Sequence, residues 1–284
     1  MELLNISPDE IEGLDYSRFV SLIDERNRCS GGVKTVHEVI VNSGINRKSN
    51  VLEIGCNTGF TSINLAYLSG CDVTGIDINE RSLELSRQYA QRNNLENKVN
   101  FLHENAEALS FPDETFDLVW ASNVTSFLKN KNSAISEYLR VLRTGGTLTI
   151  IPIYYIKNPP IELVSEVSRA IGNKIGIYTK HYWKKLFEGV SETSDVPLEL
   201  YYERDFVYED VKGRIDTLID TILDKPHIAV MSNTQKEAVW KRAKYFYNLF
   251  NENLELCGYS IFLYQKRKEK DEKELFLTKK VEDD

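Results

Sequence analysis

The sequence predicts an α/β fold in which a seven-stranded, mostly parallel sheet carries helices on both faces. Three observations point there. Short apolar runs alternate with amphipathic stretches of roughly ten to fifteen residues. The runs read as unbroken apolar segments, as strands covered on both faces do. The chain, at 284 residues, is long enough for one such sheet with a helical cap.

Taken in order, residues 1–30 form an amphipathic helical lid with Ile6, Ile11, Leu14, Phe19, Leu22 and Ile23 at its apolar positions. Ser30-Gly31-Gly32 breaks it, and a helix over 33–42 ends at Ser43-Gly44, where glycine enters the left-handed cap conformation without steric cost. Strands follow at 50–54, 72–76, 99–103, 116–121 and 147–153. Helices at 61–69, 80–93 and 133–142 separate them, as parallel pairing requires. Beyond residue 155 the rhythm changes. Helices are expected at 161–171, 182–187, 210–223 and 235–249, and strands at 198–208 and 258–265. The organisation expected is a lid (1–30), a sheet core (31–155), cap helices with the sixth strand (156–208), a helical insertion over the ligand-binding edge (209–255), the last strand (256–266) and a charged tail (267–284).

The bulk properties narrow the function. A net charge of −8 disfavours a nucleic-acid partner, because an acidic surface repels phosphate. Cys29, Cys56, Cys71 and Cys257 are scattered without zinc-ligand spacing, so no metal is expected and the thiols read as reduced. The chain starts without a basic and apolar leader, and no apolar run approaches the roughly 20 residues of a membrane span. A cytoplasmic protein is expected; a homodimer stays open as its assembly.

The chemistry-bearing segments begin with VLEIGCNTG, residues 51–59, where a strand delivers Glu53 and a Gly55-x-x-x-Gly59 turn opens a helix. Glycines let the backbone turn sharply and approach a ligand. Next, VTGIDIN ends a strand at Asp77, 24 residues after Glu53, near the roughly 20-residue spacing at which a carboxylate meets ribose hydroxyls. Then HENAEALSFPDETFDLVWASN, residues 103–123, places Asn105-Ala106 after the third strand; an asparagine amide donates and accepts, which suits an adenine edge. Last comes LRVLRTGGTLTI, residues 139–150.

In this order the four segments resemble class I S-adenosylmethionine-dependent methyltransferases, the ubiquinone- and menaquinone-biosynthesis type and related small-molecule enzymes. The resemblance covers about residues 30–155, with a weaker echo at 258–265. It implies a Rossmann-like sheet, S-adenosyl-L-methionine as cofactor and S-adenosyl-L-homocysteine as product. It further implies transfer to an O, N or C nucleophile of a small-molecule acceptor, driven mainly by proximity and orientation in a closed pocket. Glu53 would then lie beneath the cofactor's amino group, and Gly55, Asn57 and Gly59 would surround its methionine part. Asp77 would hold the ribose, Ile78 the adenine face, Asn105 and Ala106 the adenine edge. Ser122 and Asn123 would border the methionine end. Two departures stand out: Asn57 replaces a usual glycine, and Asn105 a frequent aspartate.

Other readings fit less well. A nicotinamide dehydrogenase needs G-x-G-x-x-G, which this loop lacks. Asn158-Pro159-Pro160 is similar to an amino-methyltransferase motif, but it follows the fifth strand instead of the fourth. An RNA- or protein-directed methyltransferase and a non-catalytic cofactor-binding partner subunit remain as alternatives. If a base is needed, His181 and Tyr155 are the candidates for the acceptor site. Tyr16, Phe19, Tyr245, Phe246 and Tyr247 read first as lid packing and second as pocket lining. Arg26 and Arg28 are candidates to reach the cofactor carboxylate.

Overall fold

Strands β1 (Asn50–Ile54), β2 (Asp72–Asp77), β3 (Val99–His103), β4 (Phe116–Ser122) and β5 (Leu142–Ile151) run parallel in the computed structural model, which describes residues 6–269. Their order is β3-β2-β1-β4-β5. The chain winds outward from β1 to β3 and returns to start β4 on the other side of β1. Such a switch point leaves a crevice at the carboxyl ends of the two strands, where ligands of open α/β sheets bind.

The sheet has eight strands instead of the expected seven. The fifth continues as β6 (Ile153–Tyr155) after Pro152, whose ring nitrogen has no hydrogen for the ladder. Both pieces pair antiparallel with β8 (Cys257–Lys266), Ile150 opposite Phe262 and Ile153 opposite Tyr259, so the register runs through the interruption. β7 (Leu198–Val207) pairs antiparallel with the other side of β8, with a bulge between Leu200 and Tyr202. The fifth strand also starts earlier than expected, at Leu142, and runs through the glycine pair.

Side chains alternate between faces with period two. Val51, Val73, Leu118, Trp120 and Ile151 bury against α3 (Gly32–Ser43), α4 (Phe60–Ser69) and α5 (Glu80–Arg92). Leu52, Ile54, Val119, Ala121 and Ile150 bury against α6 (Lys131–Val141) and α8 (Lys180–Thr193). Helix α8 starts earlier than expected because the Thr179 hydroxyl accepts from the Tyr182 N–H at 3.2 Å and caps it.

A third core is made by α1 (Pro8–Glu12), α2 (Tyr16–Leu22), α7 (Ile161–Ile171), α9 (Ile215–Leu223), α10 (Pro226–Ala229) and α11 (Asn233–Leu254). Helix α7 has the expected bounds, set by Pro160 before it and the left-handed Gly172 after it. The lid aromatics pack inward: Tyr16 meets Phe246 edge-on at 5.3 Å, and Phe19 lies 5.4 Å from the same ring. Tyr245 instead donates to Glu166 at 3.1 Å. Among the described residues no helix is long and apolar enough to cross a membrane. The charged tail expected over 267–284 lies, from residue 270 on, outside the described residues.

Candidate functional site

Glu53 is flanked by its register partners Gly75 of β2 and Trp120 of β4 and is 4% exposed. The Ser62 backbone N–H (2.8 Å) and the Ser62 hydroxyl both donate to its Oε2. Burial pushes its carboxyl up to about 7, against the opposing pull of Ser62 and Thr61. A buried acid poised near neutrality ionises readily when a cation is brought against it, and the ammonium of an amino-acid ligand is such a cation.

The turn after β1 depends on left-handed backbone. Gly59 has φ +77, and a Cβ there would stand 2.6 Å from Phe101 Cζ and 2.9 Å from Ser86 Cβ, because the loop lies against β3 and α5. Asn57 has φ +47, a region that asparagine enters more easily than other side-chain-bearing residues. The asparagine thus keeps the conformation that the resemblance assigns to glycine, and its N–H donates to Asp77 Oδ2 at 2.9 Å. Replacing it by glycine is expected to leave S-adenosylhomocysteine affinity within about threefold, while Asn57→Val costs about 1–3 kcal/mol of stability. Calorimetric titration and thermal melts check both; a large affinity loss with glycine would make the Asn57 side chain a ligand.

Asp77 closes the other side. Its Oδ1 accepts from the Asn79 N–H at 2.9 Å, and Asn79 caps α5 through the Ser82 N–H at 3.3 Å. Ile78 stands 72% exposed beyond the strand end, an apolar face with no cover. Asn105 is exposed, and its Oδ1 accepts from the Glu107 N–H at 3.0 Å while Ala106 beside it is buried. Ser122 ends β4. Asn123 has φ +47, and its Oδ1 accepts from the Ser126 hydroxyl at 2.9 Å and the Ile153 N–H at 3.4 Å, so its amide oxygen organises the corner between β4 and β6. Glu53, Gly55, Asn57, Gly59, Asp77, Ile78, Asn105, Ala106, Ser122 and Asn123 all lie at the carboxyl ends of β1–β4, beside the switch point.

The donor set fits the expected cofactor. A buried carboxylate would suit an ammonium, an acid at a strand end would suit ribose hydroxyls, and an exposed isoleucine would offer an apolar face to a ring. Thr58, in the same turn, is 7% exposed with a hydroxyl that has no partner among the described residues, a spare polar group for a ligand. No group of His, Cys, Asp or Glu among the described residues could hold a metal ion.

His181 and Tyr155 are brought together, but elsewhere. They line a cavity of about 550 Å³ with Tyr154, Ile156, Lys180 and Phe206, among others, between the ends of β6 and β7 and the first turn of α8. None of the ten cofactor candidates lines it. Tyr155 lies two residues past Ile153, so the cavity wall is about 7 Å along the strand from the Asn123 corner. The Tyr155 hydroxyl donates to Asn253 Oδ1 at 2.8 Å, and burial pushes it up to about 12. It is a neutral, engaged group at physiological pH.

Residues beyond the sequence candidates also shape the edge. Ser62 and Thr61 are adjacent hydroxyl residues in an otherwise apolar helix start, a signal that was readable. In the strap between α2 and α3 the sequence offers Arg26 and Arg28 as candidates, but the contacts that hold the strap carry no signal, because its partners are remote in sequence. Arg26 stacks over Tyr89 at 4.3 Å, and the Tyr89 hydroxyl donates to Asp24. Lys225 donates to the Ile23 carbonyl at 2.7 Å and to Glu25 at 3.0 Å. Arg28 stands 5.8 Å from the ring of Phe60, the residue after Gly59, so of the two arginines it is the one at the head of α4.

Comparison with known proteins places this geometry in context. The methyltransferase domain family matches residues 52–150. A Haemophilus influenzae protein described as uncharacterized is 31% identical over 172 residues, 60% of this chain and 68% of its own length. The 27-O-demethylrifamycin SV methyltransferase of Amycolatopsis mediterranei is 31% identical over 126 residues, 44% of this chain; the match spans 46% of that enzyme, under half its length. Among solved structures, the MccD protein superposes with a TM-score of 0.69 at 24% identity, covering 85% of this chain and all of that one, a likeness of fold.

Proposed function

The chain belongs to the class I S-adenosylmethionine-dependent methyltransferases, and from that premise we propose that it methylates an O, N or C nucleophile of a small-molecule acceptor. The observation that carries the reading is the buried Glu53 carboxylate with Asp77 and the exposed Ile78 on one sheet edge. S-adenosylmethionine, when bound, supplies a methyl group already activated on a sulfonium. Glu53 holds the ammonium, Asp77 the ribose hydroxyls, Ile78 the adenine face and Asn105 the adenine edge. The strap and the lid helices exclude water, so orientation supplies much of the acceleration. The net charge of −8 and the likeness to an enzyme named for rifamycin support a small molecule over a nucleic acid. Free cysteines, three of them buried, suit a reducing cytoplasm.

Titration with S-adenosylhomocysteine, followed by transfer of labelled methyl to a panel of hydroxylated, aminated and enolic small molecules, tests the reading. Label entering RNA or protein instead would replace the acceptor class. Cofactor binding with no label transferred anywhere would leave a silent binding subunit.

Tyr155 tests whether a base acts from the neighbouring cavity. General bases contribute about 10²–10⁴-fold, and a neutral tyrosine that donates to Asn253 supplies no such term. Tyr155→Phe is therefore expected to keep kcat within about threefold, far below that range. A loss of about 100-fold or more would restore Tyr155 as the base.

A further inference from the structure

Glu53 and Lys266 are the buried charged side chains among the described residues. Lys266 is satisfied by the Leu139 and Leu142 carbonyls at 2.9 and 2.6 Å. Glu53 depends on Ser62, and two further features of the chain make room for that dependence. Helix α4 starts from Gly59, which has no side chain to cap it, so the N–H groups of its first turn need outside acceptors. The Ser62 N–H is the third of these, and it finds Glu53. On the neighbouring strand, a Cβ at Gly75 would stand 2.8 Å from Ser62 Oγ; glycine there leaves the hydroxyl its place.

We propose that Ser62 is a positioning residue for cofactor binding: its two donors pin Glu53 Oε2, fix the carboxylate's orientation and hold it as an anion for the ligand's ammonium. The proposal rests on the reading that Glu53 receives that ammonium. The carboxylate at once caps α4, and the positive end of the helix favours its charge. Ser62 shares this work with one neighbour, whose hydroxyl also favours the anion. Asp77 of β2 opposes its ionisation, while Thr61 of α4 assists. Cys29 of the strap and Cys56 of the loop have thiols pushed up by burial, and both remain neutral.

The test is the pH dependence of S-adenosylhomocysteine affinity between pH 6 and 9, by calorimetric titration of the full chain. Ser62→Ala is expected to raise Kd about tenfold at pH 7, since a charge-assisted hydrogen bond is lost. The deficit should shrink toward pH 9, because the whole profile moves to higher pH by about one unit. Ser62→Thr, which keeps a hydroxyl, should restore the wild-type midpoint. A Ser62→Ala profile that overlays wild type, or lies below it by the same factor at every pH, overturns the proposal. Glu53→Gln separates the two layers. If it binds like wild type, the ammonium reading of Glu53 has failed. If it binds weakly while Ser62→Ala keeps the wild-type midpoint, only the role of Ser62 has failed.

Discussion

Glu53→Gln should make the cofactor-free protein more stable above pH 7 and, in the same molecule, weaken cofactor binding by about 100-fold. The sign follows from where Glu53 titrates. Its carboxyl has an ordinary value of 4.5 and is pushed up to about 7 in the fold, by burial first. Below pH 4.5 both folded and unfolded chains hold the proton, and the group is neutral to stability. Between 4.5 and 7 the unfolded chain releases a proton that the folded chain keeps, so stability falls as pH rises. Above 7 both are ionised and the fold carries the full cost of a buried charge, about 3 kcal/mol from the gap between the two values. Glutamine keeps an oxygen for the two Ser62 donors and has no charge to bury. At pH 8 it should raise Tm by about 5 °C, with little change at pH 5. Removing one partner of a buried, hydrogen-bonded charge pair costs about 2–5 kcal/mol of binding, which covers the 100-fold loss. Paired melts at pH 5 and 8, with and without S-adenosylhomocysteine, read both effects. Equal melts at pH 8 for the two proteins would deny that Glu53 carries a buried charge.

The opposite signs explain how much of this site the sequence disclosed. A buried acid between Gly75 and Trp120 is a poor choice for stability alone, and Glu53 is made visible by the Gly55-x-x-x-Gly59 turn that follows it and the resemblance that turn belongs to. Asp77 is legible from its spacing after Glu53 and Asn105 from its place after the third strand, while the helix over 161–171 has signals within a few residues of one another. The eighth strand was hidden by Pro152, which breaks the ladder without shifting the register. The sequence names His181 and Tyr155 together, but the place of their shared cavity on the sheet was out of reach for a different reason. It is assembled from β6, β7 and α8, and the side on which α8 packs is a tertiary outcome that periodicity does not encode. The strap contacts join Asp24 to Tyr89 and Ile23 to Lys225, pairs that no local pattern links.

On the proposed reading, Asp77→Ala should cost about 100-fold or more in cofactor affinity, because one carboxylate would then serve both the loop and the ligand. Its Oδ2 holds the Asn57 N–H and its Oδ1 the Asn79 N–H, each at 2.9 Å. Each oxygen keeps a further lone pair, and those are what ribose hydroxyls would meet. Alanine removes the tether from a residue held at φ +47, so the loop is freed as the ribose partner is lost. Hydrogen bonds to a charged group contribute about 1.5–3 kcal/mol each, and even one such loss with loop loosening reaches 100-fold. Asp77→Asn should fall between, since its amide oxygen can keep one of the two backbone donors while its NH₂ faces the other. The ligand supplies the decisive comparison. S-adenosylhomocysteine lacking the ribose 2′-hydroxyl should bind wild type about tenfold more weakly than the parent, yet bind Asp77→Ala about as well as the parent does, the coupling expected of groups in contact. If both proteins lose the same factor with the deoxy ligand, Asp77 holds the loop alone and the ribose is held by another residue.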